Sequence, residues 1–202
     1  IKEIIVKKYK LKQIGDGTTR VVYAFGDDNV IKLVKGESTS INNKLEVEAY
    51  GCLGREYAAE IIDYDQENYY WLVMERVDII VSNREYQNKL KDMIGIGLSY
   101  TEIAKKFPGY DIPVYDPSSA FHKLFEILLA DRFPLGNYRQ RLRGLLCKNS
   151  PWFNGLNNRL VNCQIFAGDL GMGNSGIRTV SGELVLLDYG FKMMKGTQSE
   201  CH

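Results

Sequence analysis

Three oxygen-bearing side chains lie near one another in the segment GDLGMGNSGIRTVSGELVLLDYGF, residues 168–191 of the 202-residue chain. Asp169 and Asn174 stand five positions apart, and Asp188 follows the apolar run LVLL. A carboxylate and an amide oxygen suit Mg²⁺, a hard cation that takes oxygen ligands and shares them with substrate phosphates. The remaining aspartate would accept a proton from an attacking hydroxyl. The segment therefore predicts a metal–nucleotide site, and the alternative is a polar loop that serves solubility alone.

The first third of the chain carries residue types that bind phosphate. Gly15 and Gly17 lie in a turn between two β-rich runs, where glycines let backbone N–H groups approach an anion closely. Lys32 lies one strand further on, in the apolar run VIKL. A carboxylate on the helix that follows would hold this lysine in place; Glu46 is the first choice and Glu48 the second. Taken singly, each feature is also typical of an ordinary turn, an outward-facing lysine or a solvated glutamate.

Five β-rich runs and one helical segment must position these residues. The predicted strands are LKQIG (11–15), RVVYAF (20–25), NVIKLV (29–34), AAEIIDYD (58–65) and YYWLVMERV (69–77). The sequences DGTT and GDD between the first three are typical of turns. Apolar residues at helical spacing predict a helix in 38–54, with Gly54 as its stop. The first three runs indicate an antiparallel meander, and the whole pattern indicates five strands with one helix inserted after the third.

The character of the sequence changes near residue 81. Segments 83–107 and 120–133 have the spacing of amphipathic helices, and helical patterns continue in 135–149 and 152–164. A β-rich N-terminal lobe (1–77) is therefore expected to join a mostly helical C-terminal lobe (78–202). Backbone groups of the extended segment that links two such lobes can read the edge of an adenine base.

Bulk composition narrows the class of protein. Hydrophobic residues make up 45% of the chain and charged residues 25%, which is ordinary for a globular domain. The formal net charge of +1 gives no electrostatic case for nucleic acid or a membrane surface as a partner. No apolar run reaches the roughly 20 residues that a membrane span needs.

The cysteines predict neither a zinc site nor a disulfide framework. There is no C-x-x-C pair, and the chain has only two histidines. With no recognisable secretory signal, the widely spaced cysteines are interpreted as reduced thiols of a cytoplasmic protein. They are Cys52, Cys147, Cys163 and Cys201.

The order of these features resembles the protein-kinase-like superfamily. Its signature set is G-x-G-x-x-G-x-V, V-A-I-K, a helix glutamate, H-R-D-L-x-x-x-N and D-F-G. This chain offers GDGTTRVV, VIK, a helix glutamate, DLGMGN and DYG in the same order across residues 14–190. The resemblance implies an α+β, bilobal kinase-like fold. Its N-terminal lobe would be a five-stranded antiparallel sheet with one helix, and its C-terminal lobe a truncated, mostly helical one.

The same resemblance implies a role for each polar residue. Lys32 would hold the α- and β-phosphates of ATP, and Glu46 would pair with Lys32. Asp169 would be the catalytic base. Asn174 and Asp188 would be the ligands of Mg²⁺.

The remaining nucleotide contacts follow from the resemblance as well. Gly15 and Gly17 would cover the phosphates. Met74 would stand at the gatekeeper position, and Glu75 and Val77 would contact adenine. The implied cofactors are ATP and Mg²⁺.

The chain departs from the protein-kinase pattern at several positions. Arg20 replaces the third glycine and is expected to make the turn over the phosphates bulkier. Ala167 and Gly168 precede Asp169 where protein kinases have His-Arg, and GDL is similar to the loop of aminoglycoside phosphotransferases. Gly171 stands where protein kinases often place a lysine. Only twelve residues follow Gly190, which is similar to the curtailed C-terminal lobes of small bacteriophage-encoded kinases.

The favoured function is an ATP-dependent protein Ser/Thr kinase, phage-encoded and acting on host or phage proteins in the host cytoplasm. One alternative is a small-molecule kinase of the aminoglycoside-phosphotransferase type, with Asp111, Asp116 and Asp131 as candidates for binding the acceptor. A second alternative, motivated by Arg20 and Gly171, is a nucleotide-binding pseudokinase. The expected partners are ATP and a protein substrate, with no nucleic acid and no membrane.

Overall fold

A computed structural model of the chain describes residues 2–79, 147–148, 150–165 and 174–189. Within these ranges the protein has mixed α+β architecture, as the sequence predicted. The helices are α1 (Lys2–Tyr9), α2 (Ser40–Leu53) and α3 (Pro151–Asn162). The strands are β1 (Lys12–Asp16), β2 (Arg20–Phe25), β3 (Asn29–Val34), β4 (Ile61–Tyr64), β5 (Trp71–Glu75), β6 (Asp78–Ile79), β7 (Ser175–Ile177) and β8 (Leu184–Leu186).

The first five strands form one antiparallel sheet in the order β1-β2-β3-β5-β4. The predicted meander of the first three strands, followed by one helix and two further strands, is therefore confirmed; β5 pairs with β3, and β4 lies at the edge of the sheet. Strands β2 and β3 have the predicted bounds. Both strands are rich in β-branched and aromatic residues, which favour a pleated, half-buried surface. The turn between them contains Gly26 at φ +70°, a conformation that suits glycine.

Successive side chains along β2 and β3 point to opposite faces of the sheet. One face carries a buried apolar cluster: Val21, Tyr23, Ile31, Leu33 and Val73. Helix α1 covers this cluster through Ile5 and Val6. The sequence analysis missed α1, because its apolar residues are adjacent and show no helical period. The opposite face of the same strands carries Arg20 and Lys32, which therefore point away from α1.

Helix α2 presents a buried stripe that contains polar residues. Its buried positions are Asn43, Glu46, Ala49 and Leu53, at helical spacing. The helix ends at Gly54, which has φ +72° and donates its N–H to the Tyr50 carbonyl. A buried carboxylate is costly unless it is paired, so Glu46 on this stripe points to a dedicated partner.

Helix α3 confirms the helical pattern predicted in 152–164. The Ser150 hydroxyl accepts a hydrogen bond from the Phe153 N–H, and Pro151 occupies the first turn, where its missing N–H costs nothing. Phe153, Leu156 and Leu160 bury one side of the helix. No helix in the described ranges is long and apolar enough to span a membrane.

Strands β6, β7 and β8 form a second antiparallel sheet. Strand β8 is the predicted strand before Asp188, whereas the two-residue β6 was not predicted. Leu186 connects the second sheet to the segment between α2 and β4, because its N–H donates to the Tyr57 carbonyl and its own carbonyl accepts from the Ala59 N–H. The helices predicted in 83–107, 120–133 and most of 135–149 lie outside the described residues, and the lobe boundary at 77/78 stays a prediction.

Cys52 and Cys163 form a disulfide, so the interpretation of the cysteines as reduced thiols is wrong. Cys52 lies in the last turn of α2 and Cys163 at the end of α3, and their Cα atoms are 5.8 Å apart. Cys147 is disulfide-bonded as well. The sequence could not show this pairing, because 111 positions separate the two residues. The cytoplasmic location expected from reduced thiols loses that support.

A tight contact between α3 and the segment after α2 gives a first prediction. A Cβ atom at Gly155 would overlap the hydroxyl oxygen of buried Tyr57. Gly→Ala inside a helix ordinarily stabilises by about 0.5–1 kcal/mol. Here we expect Gly155→Ala to lower the free energy of unfolding by about 1–3 kcal/mol, measured by urea denaturation. Tyr57→Phe should reduce this cost, and a cost unchanged in that background would contradict the explanation.

Candidate active site

Lys32 and Glu46 form a buried ion pair between the sheet and α2. The Lys32 Nζ donates to the Glu46 Oε1 at 2.7 Å. Glu46 is fully buried and Lys32 is 7% exposed. The structure thus brings together the two residues that the resemblance pairs, whereas Glu48, the second choice, is exposed.

Arg20 is the third member of this cluster, and the sequence analysis misplaced it. Its Nη1 donates to Glu46 Oε2 and, at 3.2 Å, to Asn43 Oδ1. The side chain is 8% exposed. The expectation that Arg20 enlarges the turn over the phosphates is wrong. Position 20 begins β2 on the same sheet face as Lys32, so its side chain points inward.

Asp188 contacts this cluster through Arg20. Its Oδ1 is ion-paired with the Arg20 Nη2, and 41% of its side chain is exposed. Asp188 has φ +53°, which is uncommon for a residue other than glycine and is often found at functional sites. The N–H of the preceding Leu187 donates to the Asn174 carbonyl at 2.6 Å, so the backbones of the two predicted metal ligands lie close together. Asp169, the predicted base, lies outside the described residues.

Tyr189 anchors the loop that carries Asp188. Its ring is 1% exposed, and its hydroxyl donates to the Ala59 carbonyl at 2.9 Å. Burial raises the pKa of Tyr189 well above its ordinary value, and the negative charge of Glu46 adds to the effect. The phenol therefore stays a hydrogen-bond donor at neutral pH and holds Asp188 beside the first sheet.

Burial and charge act in opposite directions within the cluster. Burial lowers the pKa of Lys32 to about 8, Glu46 opposes this shift and Arg20 reinforces it. Burial by itself would raise the pKa of Glu46, but Arg20 and Lys32 overcome it and hold that pKa below its ordinary value. At neutral pH the site therefore contains a lysine cation, a glutamate anion and an arginine cation.

The lowered pKa of Lys32 predicts how phosphate binding at this site responds to pH. For the ATP site that the resemblance implies, we expect the affinity for ATP to fall as pH rises through about 8, because the lysine then loses the charge that attracts phosphate. The same deprotonation does not destabilise the fold: the unfolded chain holds this proton more tightly, so the contribution of Lys32 to stability rises between about pH 8 and 10.5. An affinity for ATP that stays constant up to about pH 10 in a calorimetric titration would contradict this assignment.

An apolar surface adjoins the polar cluster. Met74 is buried together with Ala59 and Val185. Partly buried apolar side chains pack against these three: Val30, Val77 and Leu187. Val30 is two positions before Lys32 and lies opposite Met74, so it shares the sheet face of the lysine. A flat base could pack on this surface while its phosphates reach Lys32.

Glu75 is occupied by contacts within the protein. Its N–H donates to the Glu60 carbonyl at 2.9 Å, so this group is not available to an adenine edge. Its carboxylate accepts from Arg178, with Nη2–Oε1 and Nε–Oε2 distances of 2.6 and 3.0 Å, and from the Glu60 N–H. Glu75 thus connects β5 to the second sheet, a role that sequence reasoning missed. Val77 remains a candidate contact to the base.

The turn at the start of the site keeps its predicted position. Gly15 lies in β1, opposite Val22, and Gly17 follows that strand. The Gly17 N–H donates to the Arg20 carbonyl at 2.9 Å, which closes the turn. This donor therefore serves the turn itself, and phosphate binding by these glycines stays a prediction.

The available donor set fits magnesium. In the part of the chain that the structure describes, no group of three or more His, Cys, Asp and Glu side chains could hold a metal. Mg²⁺ does not require such a group, because it is usually bound by one or two carboxylates together with phosphates and water. The Asp188 carboxylate and the Asn174 amide oxygen are hard donors of this kind.

Comparison with known proteins finds similarity at the level of solved structures. No protein-family model matches the sequence, and no curated protein matches it either. The chain is similar to the GDP and kanamycin complex of APH(2")-IIia, with 14% identity, 95% of this chain and 72% of that chain covered, and a TM-score of 0.43. It is similar to the streptomycin–ATP–APH(2")-IIa ternary complex, with 17% identity, 94% and 69% covered, and a TM-score of 0.41.

A third similar structure is choline kinase LicA from Streptococcus pneumoniae, with 16% identity, 95% of this chain and 69% of that chain covered, and a TM-score of 0.40. The names of these three structures mention kanamycin, streptomycin and choline kinase. The protein Ser/Thr specificity expected from the sequence gains no support from them.

Proposed function

We propose that this protein is an ATP-dependent phosphotransferase. The observation that carries the proposal is the buried Lys32–Glu46 pair on the sheet face that meets Asp188. Taking two charges out of water is expensive, and replacing such a pair by apolar residues is often neutral or stabilising. Titratable groups with perturbed pKa values that cluster beside an apolar surface are therefore candidates for a functional site.

The proposal assigns one role to each predicted site residue. Lys32 binds the α- and β-phosphates, and Glu46 fixes the position of its ammonium group. Asn174 and Asp188 hold Mg²⁺, which when bound neutralises charge on the transferring phosphoryl group. The protein does little covalent chemistry, because such transfer depends on positioning and charge stabilisation. Asp169 is proposed to take the proton of the acceptor hydroxyl.

We propose a hydroxyl group of a small molecule as the acceptor. The supporting observation is the sequence GDL at 168–170, which is similar to the corresponding loop of aminoglycoside phosphotransferases and lacks the arginine of protein kinases. A protein serine or threonine is the second candidate, favoured by the D-x-x-x-x-N and D-Y-G motifs. The acidic candidates for acceptor binding, Asp111, Asp116 and Asp131, lie outside the described residues.

Transfer of the γ-phosphate of ATP to an acceptor tests the proposal. The purified chain is incubated with Mg²⁺ and γ-labelled ATP, together with aminoglycosides, choline and sugars in one panel and protein substrates in another. We expect labelled small-molecule product from wild type, and about a hundredfold less from Lys32→Met or Asp169→Ala. Label on protein alone would favour the second acceptor class. Nucleotide binding without transfer to any acceptor would favour a pseudokinase and overturn the proposal.

A further inference from the structure

We propose that Arg20 is a gate on the metal site: its guanidinium binds the Asp188 carboxylate and competes with a divalent cation for it. This inference rests on the proposed function, because Asp188 matters as a metal ligand only if the site binds a metal–nucleotide. The geometry assigns Arg20 a direct contact with a predicted metal ligand, which the glycine of the family motif could not make.

The guanidinium is placed to make this contact. Nη1 donates to Glu46 and Asn43, which leaves Nη2 directed at Asp188 Oδ1. Arginine offers five N–H donors in a rigid plane, so fixing one side of the fork also fixes the direction of the other. Arg20 can therefore remain on Glu46 whether or not it contacts Asp188.

A separate scaffold holds Arg20 in position. Asn43 is fully buried, and its Nδ2 donates to the Tyr69 carbonyl at 2.9 Å. Tyr69 has φ +57°, and the Asp65 carboxylate stabilises its turn by accepting N–H bonds from residues 67, 68 and 70. The chain of contacts from this turn through Asn43 to Arg20 does not involve Asp188. These contacts fix the position of the guanidinium without Asp188, and Asp188 is therefore the partner that can be released.

The charges of the cluster make cation binding depend on nucleotide. Arg20 and Lys32 carry two positive charges, which Glu46 and Asp188 balance with two negative ones. A divalent cation at Asp188 would add positive charge beside the guanidinium without any compensation. A nucleoside triphosphate supplies the missing negative charge, so cation and nucleotide should each strengthen the binding of the other.

Mn²⁺ binding to the nucleotide-free protein tests the gate without any assay of activity. Free Mn²⁺ is measured by its electron paramagnetic resonance signal in titrations of wild type and Arg20→Met. We expect Arg20→Met to bind Mn²⁺ about tenfold more tightly than wild type. Equal affinity in Arg20→Met and wild type would overturn the proposal.

Lys35→Met is a matched control. It makes the same change in charge at the end of the same sheet, but Lys35 forms a surface ion pair with Asp16, with Nζ and Oδ1 2.5 Å apart. We expect it to leave the affinity for Mn²⁺ unchanged. An increase equal to that in Arg20→Met would show that net charge, and not the contact with Asp188, is responsible.

A measurement on the wild-type protein keeps the proposal testable if Arg20→Met does not fold. The side-chain ¹⁵N signals of Arg20 should shift when Mg²⁺ is added together with ADP, and unchanged signals would overturn the gate. Asp188→Asn separates the two levels of the argument. If it binds Mn²⁺–ADP as wild type does, the metal assignment in the proposed function fails. If it loses that binding while Arg20→Met matches wild type, only the gate fails.

Discussion

Lys32→Met is expected to reduce kcat/KM for ATP by about a hundredfold or more while the protein stays folded. The variant removes the one described ammonium group that is buried on the sheet face meeting Asp188. The fold should tolerate the change, because Glu46 keeps Arg20 as an ion-pair partner and the desolvation cost of a buried lysine disappears. Steady-state kinetics and thermal unfolding of the same preparation measure both parts of the prediction.

Lys35→Met is also the control for this experiment, since it removes a half-exposed lysine from the segment that follows β3. We expect its kcat/KM to lie within about threefold of wild type, because exposed ion pairs contribute little. A Lys32→Met enzyme that keeps the wild-type kcat/KM would remove Lys32 from the proposed mechanism. Loss of activity accompanied by unfolding would assign the ion pair to stability instead.

Arg178→Met is expected to lower the free energy of unfolding by about 3–5 kcal/mol. Arg178 follows β7, its side chain is 7% exposed, and it donates to the carboxylates of Glu75 and Glu183. It also donates to the carbonyls of Arg55 and Ala58, at 2.9 and 3.1 Å. Methionine would fill much of the volume but would leave the largely buried Glu75 carboxylate without its cation, and removing one partner of such a pair is strongly destabilising.

Arg76, the residue after Glu75, provides the matched control, because the same substitution is made there at an exposed position. Arg76→Met should change the free energy of unfolding by less than about 0.5 kcal/mol in urea denaturation. Combining Arg178→Met with Glu75→Gln should recover part of the loss, since the uncompensated charge is then absent. A loss below about 1 kcal/mol for Arg178→Met would mean that this network is not what connects the two sheets.

Local patterns predicted the first sheet well. Strands β2 and β3 are short runs rich in β-branched and aromatic residues, separated by the turn sequence GDD, so their bounds follow from neighbouring residues alone. Helix α1 was not predicted, because it is short and has no clear apolar stripe. Strand β6 has only two residues, and its pairing with β7 depends on a segment about a hundred positions away.

The sequence predicted those contacts of the site that follow from the order of the motifs. The pairing of Lys32 with Glu46 follows from the sequence of elements, and the structure places the two in contact. Arg20 could be noticed only as a departure from glycine, and its inward direction depends on the strand register. Arg178 and Glu75 lie 103 positions apart, and no local pattern links them.

The Mg²⁺ dependence of nucleotide binding tests most directly the central claim that Lys32 and Asp188 serve the same triphosphate. Calorimetric titration with a non-hydrolysable ATP analogue, with and without Mg²⁺, is carried out on wild type and Asp188→Asn. We predict that Mg²⁺ tightens binding by about tenfold or more in wild type and has no such effect in Asp188→Asn. Equal tightening in the two proteins, or no binding of the nucleotide by wild type, would contradict the claim.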